Sequence, residues 1–375
     1  LIALIMATKS KRLVPARAIH PGEILREELQ ERNIKQKDFA QQIGVQPTHL
    51  NEFIKGKRNL NEDLAMKLEK YLGIPFKTWM NLHNGYVYES KAIDAKKNEH
   101  KRAAEYEAAC SQTFNLHILY KRLNLNQLPC TERVSRIKEM FSFDLLSSNE
   151  LRLQVAGFYK HSEKVQIDEK NMLTWLILNN FETSKAKFDI APYKEGNAQK
   201  AALEMAKMAN ERTASVDNIK RCLNDHGILY IEVEKIEKAP IDAYSTFVGT
   251  HPVITVTYRY NDLDKLVFDI LHELCHIKKH LSDTQKAFIA IEGVEYSKDP
   301  REREANEFAR QMLIPEATWK SILKIGCKSL DPYKIIRTIA KEAELRGISP
   351  SIAVSRYKYE TNWYKTSSYR SPKIH

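Results

Sequence analysis

Two histidines four residues apart, with a glutamate directly after the first, are the residues of this chain best equipped for chemistry. They are His272, Glu273 and His276, within the apolar stretch Leu266 to Ile277. On a helix, residues four apart share a face, so both imidazoles can bind one metal ion. Glu273 can then accept a proton from a water that the ion holds. Zinc lowers the pKa of such a water to about 7, which makes hydroxide available at neutral pH. Leu266, Ile270 and Leu274, with Val267 and Leu271, form the side that would bury this helix in a core.

A two-histidine site needs a third ligand. The run Arg301 to Pro315 carries Ala305, Ala309 and Met312 as an inward stripe, with Phe308 beside it. Glu302 precedes Ala305 by three residues and Ala309 by seven, so it joins that stripe, whereas Glu304 is rotated away from it. Glu302 is therefore the expected ligand and Glu304 the alternative; acids in a first helical turn also suit the helix dipole, which fits both equally. His280 lies about 80° round the helix from His272 and reads as a neighbour of the site, not a ligand. Asp264 and Asp269 could orient an imidazole, and Tyr258, Arg259 or Tyr260 could supply an oxyanion donor. Angular positions decide none of these.

The elements that must carry this site change texture at Gly227. Ile228 to Val233 is a short β-rich run, Pro252 to Tyr258 alternates branched and hydroxyl residues, and a helix follows from about Asp264. Strands ahead of a chemistry-bearing helix predict an α+β domain from about residue 210 onward. Tyr357 to His375 mixes aromatics and cations and reads as a mobile solvated tail.

A second motif sits near the N-terminus. Pro21 to Asn81 reads as five short helices. Ala40, a Gly44 turn four residues on, and a helix from Pro47 to Ile54 opening with polar residues form a helix-turn-helix layout. The second helix offers Gln46, Thr48, His49, Asn51 and Glu52 outward. Gln and Asn amides can bond an adenine edge, and Thr can meet a thymine methyl. Lys55, Lys57 and Arg58 follow where phosphates would run.

Composition narrows the setting. The chain has 375 residues and a net charge of +11, enough for two or three domains and for an acidic partner. Residues 1–88 hold fourteen Lys and Arg against nine Asp and Glu, so +5 of that excess lies in the first quarter. Five cysteines without a CxxC pair argue against a disulfide framework and a thiolate zinc finger. Leu1 to Met6 is too short, and too closely followed by Lys9, Lys11 and Arg12, to be a secretory signal. No run approaches the roughly 20 apolar residues of a membrane span, so a soluble cytoplasmic protein without membrane contact is expected.

Both motifs resemble known families. His20-Pro21-Gly22-Glu23, Phe39 to Val45, Gly56 to Leu60 and Trp79-Met80-Asn81-Leu82 resemble the HigA-type antitoxin branch of the XRE/Cro–CI repressors, over about Ile19 to Tyr86. That resemblance implies a homodimer on a double-stranded, palindromic DNA operator, in an operon that often encodes a HigB-like ribonuclease toxin. His272 to Ile277, Glu302-x-x-Ala305-Asn306-x-Phe308-Ala309 and Leu313-Ile314-Pro315 resemble the ImmA/IrrE zinc metallopeptidases, over about Gly227 to Pro315. Cys275 stands where that family usually has Gly. This resemblance implies a gluzincin-like zinc site held by His272, His276 and Glu302, with a partner repressor as the protein substrate.

The sequence thus predicts a multidomain protein: an all-α helix-turn-helix domain at 19–88 after a flexible segment 1–18, a helical middle region at 89–210, and an α+β zincin-like domain at 211–375. Its expected function is DNA-binding regulation of antitoxin type with zinc-dependent endopeptidase chemistry. The alternatives are a regulated metalloprotease that cleaves a partner repressor, and a non-catalytic zinc-bearing sensor.

Overall fold

A computed structural model of the protein describes residues 13–141, 167–186, 189–281, 287–291, 299–327, 331–365 and 368–374. The expected flexibility of the first residues, and the helical reading across 142–166, lie outside them in residues 1–12 and 142–166. The chain divides into two compact units, Leu1–Glu107 with Pro129–Val134, and Ala108–Leu128 with Ser135–His375.

The first unit opens with four short helices: α1 Pro21–Glu31, α2 Gln36–Gln42, α3 Pro47–Ile54 and α4 Glu62–Leu72. Local signals set their ends. Pro21 starts α1 at the position where a missing N–H costs nothing. Asn61 caps α4 by accepting the Leu64 N–H at 3.0 Å, and Gly73 ends it at φ 74°. Leu25, Phe39, Ala40, Leu50, Phe53, Leu68 and Trp79 fill the centre of this unit. The expected fifth short helix is instead long: α5 runs from Phe76 to Thr113, 38 residues. From Tyr86 onward it meets no Gly or Pro, so nothing in the charged run after Tyr88 stops it.

The second unit takes in α6 Leu116–Arg122, α8 Glu169–Lys185, α9 Asn197–Asn210 and α10 Val216–Asp225; α7, Cys130–Met140, begins in the first unit. A four-stranded sheet follows in the order β1 Leu229–Glu232, β3 His251–Val256, β2 Ile241–Val248 and β4 Ala287–Ile291. β1 is parallel to β3, and β2 is antiparallel to both β3 and β4. β2 has no period-two signature, because its first five residues are all buried. α8 packs on this sheet, with Trp175 against Tyr244 and Thr255 donating to Asn179 Oδ1 at 2.7 Å.

α11, Leu263–Lys279, lies over β2 and is flanked by α9 and by α12, Pro300–Leu313. Ile270, Leu271 and Leu274 sink into the core with Met205, Ile254 and Ala309. α13 Glu316–Gly326, α14 Pro332–Glu344 and α15 Pro350–Thr361 complete the unit. The chain beyond α15 is largely exposed where it is described, as expected of a solvated tail, but part of it is tied down. Leu263 N–H donates to Pro372 O at 2.9 Å, and Asp264 N–H to Ser371 Oγ at 2.8 Å. This segment satisfies first-turn donors of α11 that have no partner within the helix, and so helps to seat the helix that carries the histidines. Among the described residues, no helix is long and apolar enough to cross a membrane.

The turn into β1 depends on Gly227, held at φ +75°, where a Cβ would lie 2.5 Å from Tyr193 N. Left-handed backbone costs a non-glycine residue about 1–2 kcal/mol, and overpacking adds about as much again. Gly227→Ala should therefore lower unfolding free energy by at least about 2 kcal/mol, read as an earlier urea midpoint. An unchanged midpoint contradicts this close approach.

Candidate functional site

α11 places His272, Glu273 and His276 on its buried side, with relative exposures of 3%, 0% and 0%. The i, i+4 spacing points both imidazoles the same way, and their Nε2 atoms lie 3.0 Å apart. Ala305 and Ala309, both fully buried, let α12 lie close alongside. That contact brings Glu302, in the first turn of α12, to the pair: Oε2 is 3.0 Å from His272 Nε2 and Oε1 is 3.4 Å from His276 Nε2. Glu304 points elsewhere, to Lys279 and to His280 Nε2 at 3.0 Å. Of the two expected carboxylates, Glu302 stands at the imidazole pair.

The donor set fits a metal ion. Ligand atoms around tetrahedral zinc, at bonds of 2.0–2.1 Å, stand about 3.3 Å apart, close to the separations here. Glu302 Oε2 is buried without a hydrogen-bond partner, as is Glu273 Oε1. Buried oxygens left in that state are costly unless something else satisfies them.

Neighbouring residues set the tautomers. His272 Nδ1 meets Asn306 Oδ1 at 3.1 Å; that oxygen only accepts, so Nδ1 carries a proton, and in the neutral ring the lone pair is the one on Nε2. His276 Nδ1 faces His280 Nδ1 at 2.9 Å, and His280 Nε2 faces Glu304 Oε2. One arrangement satisfies this row and leaves the His276 lone pair on Nε2: His276 donates to His280, and His280 donates to Glu304. Asn306 and Ser245 were not singled out from the sequence. Ser245, on β2, donates from Oγ to Glu273 Oε2, and no spacing rule links residues 245 and 273. Asp269 is held by Lys265 at 2.9 Å, Arg259 by Asp242 at 2.8 Å, and the Tyr258 hydroxyl by Tyr230 at 2.5 Å.

Burial dominates the electrostatics. It pushes Glu273 up to about 8 despite His272 and Ser245, and His276 down to about 4. Burial also opposes ionisation of Glu302, but the two imidazoles that face it overcome this and hold that carboxyl at about 2. His272 is raised in spite of burial, through Glu302 and the nearby carboxylates. The cluster thus places one imidazole, a carboxylate and a second, neutral imidazole around one point. A bound dication would reset this balance, holding both imidazoles neutral and both glutamates ionised.

In the first unit, α2 and α3 meet through Ala40, and Gly44 turns between them at φ +64°. Gln46 precedes α3; it and Thr48, Lys55, Lys57 and Arg58 are exposed, and His49 and Asn51 half-buried. Arg58 pairs with Glu52 at 3.3 Å across the surface, a contact worth little in water. The motif His20-Pro21-Gly22 has a packing role. His20 Nδ1 accepts the Gly22 N–H at 2.9 Å, and a Cβ on Gly22 would lie 2.0 Å from the Phe53 carbonyl oxygen. α1 therefore abuts the end of α3 through bare backbone.

Comparison with known proteins matches a family to each of the two regions that hold these residues. Residues 25–79 match the helix-turn-helix family, and residues 224–344 the IrrE N-terminal-like domain. Virulence-associated protein I of Dichelobacter nodosus is 37% identical over 70 residues, 18% of this chain; the chain spans 65% of that protein's length. The uncharacterized HTH-type transcriptional regulator YddM of Escherichia coli K12 is 32% identical over 79 residues, 20% of this chain and 84% of that protein. Among solved structures, the Pseudomonas aeruginosa antitoxin HigA with higBA promoter is 35% identical over 22% of this chain and 94% of its own, with a TM-score of 0.21. A HigA-family addiction module antidote protein from Coxiella burnetii is 29% identical, covering 23% and 94%, with a TM-score of 0.21.

The two carboxylates of α12 are separable by experiment. At the histidine pair, Glu302→Ala should abolish tight zinc binding, whereas Glu304→Gln should weaken it only about 10–100-fold, as loss of an outer partner does. Competition against a chromophoric chelator measures both, and equal losses would contradict this division.

Proposed function

This chain belongs to the helix-turn-helix transcriptional regulators and joins to that domain an IrrE N-terminal-like one; we propose that it is a HigA-type, operator-binding regulator that also carries a zinc-dependent endopeptidase. What carries the peptidase half is one observation: two Nε2 atoms and a carboxylate converge at 3.0–3.4 Å beside a buried glutamate on the same helix. His272, His276 and Glu302 would hold the ion. When bound, zinc supplies a Lewis acid that polarises the scissile carbonyl and acidifies water. Glu273 takes a proton from the attacking water and returns it to the leaving amine. Ser245 anchors Glu273 through Oε2, leaving Oε1 without a hydrogen-bond partner as the accepting oxygen. A cavity of about 360 Å³ beside His272 and Asn306, walled also by Lys265, Asp269 and Arg310, offers room for a substrate side chain.

In the DNA-binding half, Gln46, Thr48, His49 and Asn51 read bases, and Lys55, Lys57 and Arg58 contact phosphates. A homodimer would set two such helices on the halves of a palindromic operator. The partners that fit are a HigB-like toxin and a repressor as peptide substrate, met in the cytoplasm. The full burial of Glu273 favours a peptidase that acts only after a triggering change, or a zinc-bearing sensor that never turns over.

Glu273→Gln separates these two. For a peptidase the variant retains zinc and operator binding and loses cleavage of the partner repressor, followed by gel electrophoresis; processing that continues unchanged removes Glu273 from the base role. In footprinting, Gln46→Ala and Asn51→Ala should each cost about 1–3 kcal/mol at the contacted base and relax selectivity there. Lys57→Ala should instead weaken all sequences alike and reduce the salt slope by about 1. Unchanged footprints for the first two variants exclude α3 as the reading helix.

A further inference from the structure

A second group of ligating side chains lies away from the histidine pair. Glu204 of α9, Cys222 of α10 and His226, which closes α10, have ligand atoms all within 4.8 Å of one another. We propose that Glu204, Cys222 and His226 form a second metal site, for a borderline-soft divalent cation of the zinc class.

The geometry of α10 prepares two of the three ligands. Cys222 and His226 are four residues apart, on one face of its last turn. His226 Nδ1 lies 2.8 Å from the Cys222 carbonyl oxygen. That oxygen only accepts, so Nδ1 carries a proton and Nε2 is the ring nitrogen turned to the other two side chains, the tautomer an imidazole needs to bind a metal there. Nε2 looks toward Glu204 Oε2 at 3.9 Å. The Cys222 thiol has a long contact to Ala201 O at 3.8 Å and a second with Glu204. Asn197 Nδ2 donates to His226 O at 2.9 Å, and Gly227 follows in its constrained turn, so the backbone at His226 is anchored from both sides.

Exposure is graded across the cluster in a way that admits an ion. Cys222 is 2% exposed, while the side chains of His226 and Glu204 are 17% and 51% exposed. An ion entering past Glu204 would meet nitrogen and sulfur deeper in. Bonds of roughly 2.0–2.3 Å require the ligand atoms to close by about 1 Å, and Glu204, with its side chain half exposed, has room to turn inward. As the sulfur–metal bond forms, the thiol proton leaves to solvent and nothing is oxidised or reduced. Sulfur and nitrogen together select zinc, cobalt or cadmium over magnesium or calcium. The ion would tie α9 to the end of α10, and α9 packs directly on α11.

The test uses the full chain, stripped of metal and titrated with cobalt(II). With His272 and His276 both replaced by Ala, one ion per chain should still bind and show a thiolate-to-cobalt charge-transfer band. In that background Cys222→Ala should abolish the band, and Cys275→Ala should leave it intact. Since Cys222 is buried, Glu204→Gln at the surface provides the second arm and should weaken binding at least tenfold. Absence of binding in the doubly substituted chain, or a band that survives Cys222→Ala, overturns the proposal. Failure of the peptidase reading leaves these outcomes unchanged, because the assay never depends on cleavage.

Discussion

Sinking an ionisable helix face into an apolar core is the constraint on which the C-terminal unit depends. α11 carries His272, Glu273 and His276 into surroundings built from Ile270, Leu271, Leu274 and their neighbours. Lone pairs and protons that water would otherwise satisfy must there find protein partners or a metal. Several polar contacts around α11 answer that need. Asn306 takes one histidine, His280 and Glu304 the other, and Ser245 takes one oxygen of Glu273. Glu302 approaches both imidazoles because the alanines of α12 leave it space. The oxygens still unmatched, on Glu302 and Glu273, are those that a metal and a water would use.

The same constraint explains why distant segments converge on α11. Its first turn would expose unpaired N–H groups at the surface of the core, and residues 371–372 return to accept two of them. α9 and α12 flank it with small residues, including Ala201, Ala202, Ala305 and Ala309, all fully buried. Small side chains set a short interhelical distance, and a short distance lets a carboxylate reach across. Packing and chemistry are therefore coupled at α11: bulk added to either flank would move ligands as well as cost stability.

The N-terminal unit obeys a simpler rule, in which backbone approach fixes the reading helix. Gly22 lies against the Phe53 carbonyl and His20 sits against Phe53 and Tyr86. The end of α3, from which Lys55, Lys57 and Arg58 project, is thus positioned by α1. Because the two units have separate cores, substitutions that disable one chemistry can leave the other folded.

Much of this was legible in the primary structure. Residue spacing determined that His272 and His276 share a face, that Ala40 and Gly44 bracket a turn, and that Glu302 belongs to the stripe of Ala305 and Ala309. These are angular relations within one helix, set by 3.6 residues per turn. Tertiary structure alone decided the distances between elements. It put Glu302 at the imidazoles and Glu304 behind them, brought Ser245 from a strand with no alternating pattern, turned Asn306 into a partner of His272, and folded the C-terminal segment onto α11. It also assembled Glu204 with Cys222 and His226 in a chain whose cysteines show no paired spacing. Sequence periodicity reports which way a side chain faces, whereas what it meets depends on how closely other helices and strands pack, and that is settled by the volume of the residues between them.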